Sequence, residues 1–153
     1  MLEKDIKALE KEYADYRLKE HIFPYISQRE NWDCGVACLC MALGITYEEG
    51  RKSYFPKRLA RGISGYMLAR YTKSTELKRF PNLKSLDDYI DDKKSYILLT
   101  KSNKGDWGHY VIKDKNNNIY DPEYAIESIK DYPKKYVAFH ILLENKKVYV
   151  GVK

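Results

Sequence analysis

The ten residues Cys34–Leu43, CGVACLCMAL, carry no charge and no amide side chain and end at Gly44. A segment that is apolar on every side has no face to offer water. It is therefore expected as a helix sunk in the middle of the fold, with the glycine as its stop. The rest of the chain must cover it. A length of 153 residues, 44% hydrophobic and 33% charged, supplies enough apolar material for one domain over 1–153 and argues against disorder or a fibrous repeat. Lys and Arg number 28 against 22 Asp and Glu, a net charge of +6 that falls short of a dedicated nucleic-acid arm. The best basic cluster, Lys57, Arg58 and Arg61 beside Tyr54 and Phe55, reads as a solvated helix face, so nucleic acid is not the expected partner. With 15 Tyr against 4 Phe and 2 Trp, most aromatic rings are expected half-buried with their hydroxyls in water.

Upstream, Leu2, Ile6, Leu9, Tyr13 and Tyr16 step by four and three, the stripe of an extra N-terminal amphipathic helix over residues 2–19. Two heptads are too few for a coiled-coil arm, and packing on its own domain is expected. Charges recur throughout this segment and leave no signal-peptide core or membrane span, so a cytoplasmic chain without membrane contact is expected. Pro24 makes residues 21–26 extended. Thr46 and Glu49 are spaced as a capping box for a short helix that ends before Pro56. Further helices are expected from Ser64 and over 85–91, where Asp87 and Asp88 fall in the first turn. Beyond residue 95 the pattern changes to segments rich in Tyr, Val and Ile at 96–100, 108–114, 118–121, 136–143 and 147–152. Helices first and strands second make an α+β fold, with an N-terminal helical half around the buried helix and a C-terminal, largely antiparallel sheet.

Cys34 opens the buried helix, where unpaired N–H groups and the positive end of the helix dipole stabilise a thiolate. Cys38 and Cys40 lie deeper and read as small buried hydrophobes. Crowded on one helix, the three are reduced thiols and not a disulfide framework. Zinc needs about four ligands, and only Cys34 and Cys38 share a face, so no metal or cofactor is expected. A thiol nucleophile does need a base, a group to orient that base, and oxyanion donors. His109 begins the strand His109-Tyr110-Val111-Ile112 and is the candidate base. The turn Asp114-Lys115-Asn116-Asn117-Asn118 then folds the chain back. Pairing Asp114 with Asn118 sets Asp121 opposite Val111 and diagonal to His109, about 7–8 Å away at the backbone. Asp121 is thereby the orienter, with Asp114 and Asn118 as rivals that parity disfavours. His140 reads as a satisfied sheet residue and His21 as a surface one. Gln28, six positions before Cys34, is placed to add an amide N–H to the Cys34 backbone N–H as a second oxyanion donor.

Gln28, Asp33-Cys34-Gly35, the apolar helix, Gly108-His109-Tyr110-Val111 and Tyr120-Asp121-Pro122 together resemble the papain-like peptidases that process double-glycine bacteriocin leaders. The resemblance runs over residues 22–143. It implies a papain-like fold and gives Gln28, Cys34, His109 and Asp121 the roles of oxyanion donor, nucleophile, base and orienter. The run Asn31-Trp32-Asp33-Cys34-Gly35-Val36-Ala37-Cys38 is also similar to eukaryotic proteins described as guanylyl cyclases, although a cyclase needs a phosphate loop and paired acids that are not seen here. The chain reads as a cysteine peptidase that cleaves a peptide or isopeptide bond in a peptide or protein substrate. The alternatives are a papain-like scaffold used for binding or inhibition, in which nothing requires all four residues, and a guanylyl-cyclase-like protein. The sequence sets no oligomeric state.

Overall fold

The computed structural model describes residues 3–17, 22–60, 62–101 and 108–143. Helices α1 (Glu3–Arg17), α2 (Cys34–Leu43), α3 (Tyr47–Ser53) and α4 (Gly65–Tyr71) come first. Strands β1 (Leu77–Ser85), β2 (Tyr96–Lys101), β3 (His109–Lys113), β4 (Asn118–Tyr120), β5 (Ile126–Ser128) and β6 (Tyr136–Leu142) follow. They form an antiparallel sheet in the order β1-β6-β2-β3-β4-β5. The arrangement is α+β, as the sequence suggests. Among the described residues no helix is long and apolar enough to cross a membrane.

α2 is the axis of the molecule. Residues 35–42 are all buried, and Gly44 closes the helix in the left-handed conformation at φ 70°. Its N–H donates to the Met41 carbonyl, and that of Ile45 to the Cys40 carbonyl. The sheet contributes Ile97, Tyr110, Ile112, Phe139 and Ile141 to the core around α2. Alternate positions Leu98, Val111, Val137 and Leu142 enter a second core with Leu86, Tyr89, Ile129 and Tyr132. Both faces of the central strands are covered, which is why β2 and β3 read as apolar runs and not as alternations. α3 carries its capping box: Thr46 Oγ1 accepts the Glu49 N–H at 3.1 Å and Glu49 Oε1 accepts the Thr46 N–H at 3.3 Å. α1 packs on the body through Ile6, which is buried, and Leu9.

Several elements differ from expectation. Residues Leu86–Tyr89 form one 3₁₀ turn, capped by Ser85, in place of a helix over 85–91. Leu86 and Tyr89, three apart and both buried, eclipse on one side as the 3₁₀ period requires. β1 is not signalled by the sequence, because Pro81, Asn82 and its charges read as a loop. It lies at the sheet edge, and its pairing with β6 shifts register between Arg79 and Lys84, so Pro81 removes no ladder bond there. β5, three residues long, is too short to show a period. The strand expected over 147–152 lies outside the described residues. The tyrosines also depart from the half-wet expectation. Tyr25, Tyr89, Tyr120 and Tyr132 are fully buried, with their hydroxyls bonded to Asp121 O, His140 Nδ1, Asp114 Oδ2 and Asp121 Oδ2. Internal acceptors replace water for these four. Tyr54 and Phe55 pack on Tyr71 with ring centroids 5.0 and 5.3 Å away, so their rings belong to the body of the fold and do not form a stacking platform beside Lys57 and Arg58.

Candidate active site

Cys34 is the first residue of α2 and is partly exposed, whereas Cys38 and Cys40 are buried. Asp33 precedes it at the N-cap but makes no side-chain cap. Its buried carboxylate turns back to accept the N–H groups of Arg29 and Glu30, each at 3.0 Å, and the Tyr47 hydroxyl at 2.6 Å. Asp33 therefore shapes the 28–32 loop and does not itself cap the first-turn amides of α2. Burial, followed by the neighbouring Cys34, Asp121 and Cys40, pushes the Cys38 thiol well up, and burial pushes Cys40 up to about 12. These two thiols stay protonated and act as apolar filling.

His109 stands at the start of β3, its carbonyl held by Thr100 Oγ1 at 3.0 Å. On one side of the ring Nε2 meets Asp121 Oδ1 at 2.6 Å, and the Cys34 side chain is its other polar neighbour. Burial alone would lower its pKa, but the bond to Asp121 and the nearby Cys34 outweigh burial and lift it from 6.5 to about 9. Asp121 moves the opposite way. Burial opposes its charge, yet the His109 bond and charge, the Tyr132 hydroxyl and the Glu123 N–H hold its carboxyl below the usual range. The two shifts describe one ion pair.

The β3–β4 register is the one the turn demands, with Ile112 opposite Tyr120 and Lys113 opposite Ile119. Asp114 accepts from Asn116, Asn118 and Tyr120 inside the turn, which removes it as an orienter of His109. Asp121 is fixed four more ways: Tyr132 donates to Oδ2 at 2.6 Å, the Glu123 N–H to Oδ1 at 2.9 Å, the Tyr25 hydroxyl to its carbonyl at 2.7 Å, and its own N–H to Ala125 O at 2.9 Å. Tyr132 and Tyr25 carry no signal in the sequence, because each reaches Asp121 from a distant segment. Asp33 could have been found, since it directly precedes Cys34.

Gln28 is anchored by its N–H on Pro122 O at 2.9 Å, and its Nε2 donates to Glu30 O at 2.6 Å. That carbonyl fixes which end of the amide is nitrogen, because the flipped form would set two oxygens together. Its Oε1 is buried without a partner among the described residues. His140 is indeed a satisfied sheet residue, bonded to Tyr89 and Glu76. His21 lies outside the described residues. Beside Cys34 a cleft of about 850 Å³ is walled by Trp32, Ile63, Leu99 and Tyr110. Tyr110 pins its far side by donating to Ile63 O at 2.7 Å. Among the described residues no group of three or more His, Cys, Asp or Glu side chains is arranged to hold a metal ion.

The sequence profile of the Peptidase C39 family matches residues 22–147. The fold is similar to that of a double glycine motif protease from an AMS/PCAT transporter, solved in complex with the leader peptide. The TM-score there is 0.53, with 18% identity over 78% of this chain and 89% of that one. It is also similar to the peptidase domain of Streptococcus ComA, a bi-functional ABC transporter involved in a quorum sensing pathway. That likeness has a TM-score of 0.52 and 19% identity over 80% of this chain and 96% of that one. No curated protein matches the chain at a significant level. These structural likenesses identify the α+β arrangement as papain-like. The profile covers most of the chain, which therefore belongs to the Peptidase C39 family and is a cysteine peptidase.

Proposed function

We propose that this peptidase works through Cys34, His109, Asp121 and Gln28 on a leader-bearing peptide cut after a pair of glycines. The observation that carries the reading is His109 paired at 2.6 Å with the buried Asp121 and neighbouring Cys34, which itself lines an open cleft. The Cys34 sulfur, its proton held by His109, attacks the scissile carbonyl. The oxyanion that forms accepts from the Cys34 N–H and a Gln28 Nε2–H. Collapse breaks the C–N bond, and His109 passes its proton to the leaving amine. Water then attacks the thioester while His109 takes its proton, and the acid product leaves with Cys34 restored. Asp121 holds the ring and balances its charge throughout. A peptide substrate suits the apolar walls that Trp32, Ile63, Leu99 and Tyr110 give the cleft, and the glycine pair is taken from the transporter protease that the fold resembles. The three cysteines are free thiols, as a peptidase of the reducing cytoplasm requires. The test is labelling with a peptide aldehyde that ends in Gly-Gly, followed by mass spectrometry. One adduct on Cys34, abolished in His109→Ala, is expected; an adduct spread over Cys38 and Cys40 would overturn the assignment.

A further inference from the structure

α1 lies outside the family-matched residues 22–147, yet it reaches the loop that carries Gln28. Glu10 Oε2 accepts both the Ser27 N–H and Arg29 Nη1 at 2.8 Å, and Glu3 meets Arg29 Nη2 at 3.2 Å. Glu3, Ile6 and Glu10 share one face of the helix by spacing. The contact is sheltered: the Glu10 and Arg29 side chains are 15% and 11% exposed, and Ile6 and Ser27 are buried. The stretch 27–29 is held on its other sides by the body of the peptidase. Pro122 O accepts the Gln28 N–H and Ser27 Oγ–H, each at 2.9 Å, and Asp33 accepts the Arg29 N–H at 3.0 Å. The Arg29 guanidinium also lies over the Tyr47 ring, 4.4 Å from its centroid. Gln28 therefore sits between anchors on the Asp121 side and on α2, and the third anchor comes from α1.

We propose that α1 is a latch for the oxyanion loop and that Glu10 is a positioning residue for Gln28. By taking the Ser27 N–H and the Arg29 guanidinium on one carboxylate oxygen, Glu10 fixes both neighbours of Gln28. The Gln28 amide is thereby held within the narrow range of distance and angle that a hydrogen bond to an oxyanion tolerates. Removing the carboxylate leaves a sheltered guanidinium without its nearest counter-charge and a buried N–H without an acceptor, so the loop relaxes. The inference rests on the role given to Gln28 above. The Lys7–Glu48 pair, 54% and 60% exposed, joins α1 to α3 in solvent and is no part of the latch.

The experiment uses the full chain, with amide hydrogen exchange at Gln28, steady-state cleavage of a Gly-Gly peptide, and alkylation of Cys34 by iodoacetamide. In Glu10→Ala the Gln28 N–H, whose own acceptor on Pro122 is untouched, is expected to exchange about tenfold faster. kcat is expected to fall about ten- to a hundredfold with KM near wild type. Cys34 alkylation should hold, because attack of sulfur on an alkyl iodide forms no oxyanion. Glu10→Gln keeps an oxygen for the Ser27 N–H and should recover most of kcat, while Lys7→Ala should behave as wild type. A Gln28 amide as protected as in wild type, or an unchanged kcat, overturns the latch. A loss of kcat mirrored in alkylation also overturns it, because that marks a general loosening of α2. If the wild-type chain cleaves no such peptide, the reading of the site is what fails, and the exchange rates alone then decide whether the latch stands.

Discussion

At His109 burial and pairing pull in opposite directions, and pairing wins, which fixes the sign of the pH dependence. Its folded value of about 9 lies above the 6.5 of the free group, so its contribution to stability is complete below 6.5 and is lost as pH rises through about 9. Asp121 is shifted down from 3.8, so its contribution is present above 3.8 and lost as pH falls through its lower folded value. The pair therefore supports the fold fully from about 4 to 6.5 and less above. An NMR titration of the His109 ring should give a midpoint near 9, and a midpoint near 6.5 would mean that the ring is not charged by its partners. Tyr132→Phe tests the next residue out. The loss of a hydrogen bond to a charged, buried acceptor should cost about 1.5–3 kcal/mol in thermal unfolding. A carboxylate relieved of that donor also holds the imidazole proton harder, so the His109 midpoint should rise further. An unmoved midpoint would reduce Tyr132 to a packing residue. The hairpin made Asp121 legible, because parity across a short turn is local information. Tyr132 was not legible, because its hydroxyl arrives at Asp121 from the loop before β6 with no periodic relation to it.

Among the elements, those set by local chemistry were readable and those set by distant pairing were not. α2 follows from its apolar run and Gly44, α3 from the Thr46 and Glu49 capping box, and α4 from Ser64, whose Oγ accepts the Met67 N–H at 3.2 Å. β1 depends on β6, more than fifty residues later, to satisfy its backbone, and no pattern within it announces that partner. The helix expected over 85–91 became a single 3₁₀ turn because the next strand begins at Tyr96 and both Leu86 and Tyr89 must reach the second core. The α2–α3 contact was only half readable: the helix could be seen, but not how closely it lies. A Cβ at Gly50 would stand 2.2 Å from Cys40 Sγ, which is itself buried. Gly50→Ala gains up to about 1 kcal/mol of helix propensity but overpacks the interface by about 1–3 kcal/mol, so the melting temperature should fall. Cys40→Ala in the same chain clears the space and should restore much of the loss. A Gly50→Ala protein as stable as wild type would mean that α3 moves off α2 without penalty.

On the scale of the whole molecule, α2 couples everything else. α3 covers the Cys40 side, β3 packs on the helix through Tyr110 and Ile112, and the sheet lies between the two cores. A helix enclosed in this way cannot expose its thiols unless the elements around it separate, so Cys38 and Cys40 report on how the chain opens. In a Cys34→Ser chain at neutral pH, both should react with a thiol reagent at one common, slow rate. That rate should rise with urea on the slope found for equilibrium unfolding, because exposure of either sulfur then requires the full surface change. The competing behaviour is specific. If α3 peels away alone, Cys40 becomes reactive first, with a shallower urea slope than Cys38, because the contacts of α3 at Gly50 and Tyr47 and the turn at Gly44 open while the sheet stays closed. Equal rates with the full slope mark one cooperative unit from α2 through the sheet. Two rates with two slopes would divide the helical half from the rest and leave the Cys34 end of α2 resting on a less stable support than the His109 end of β3.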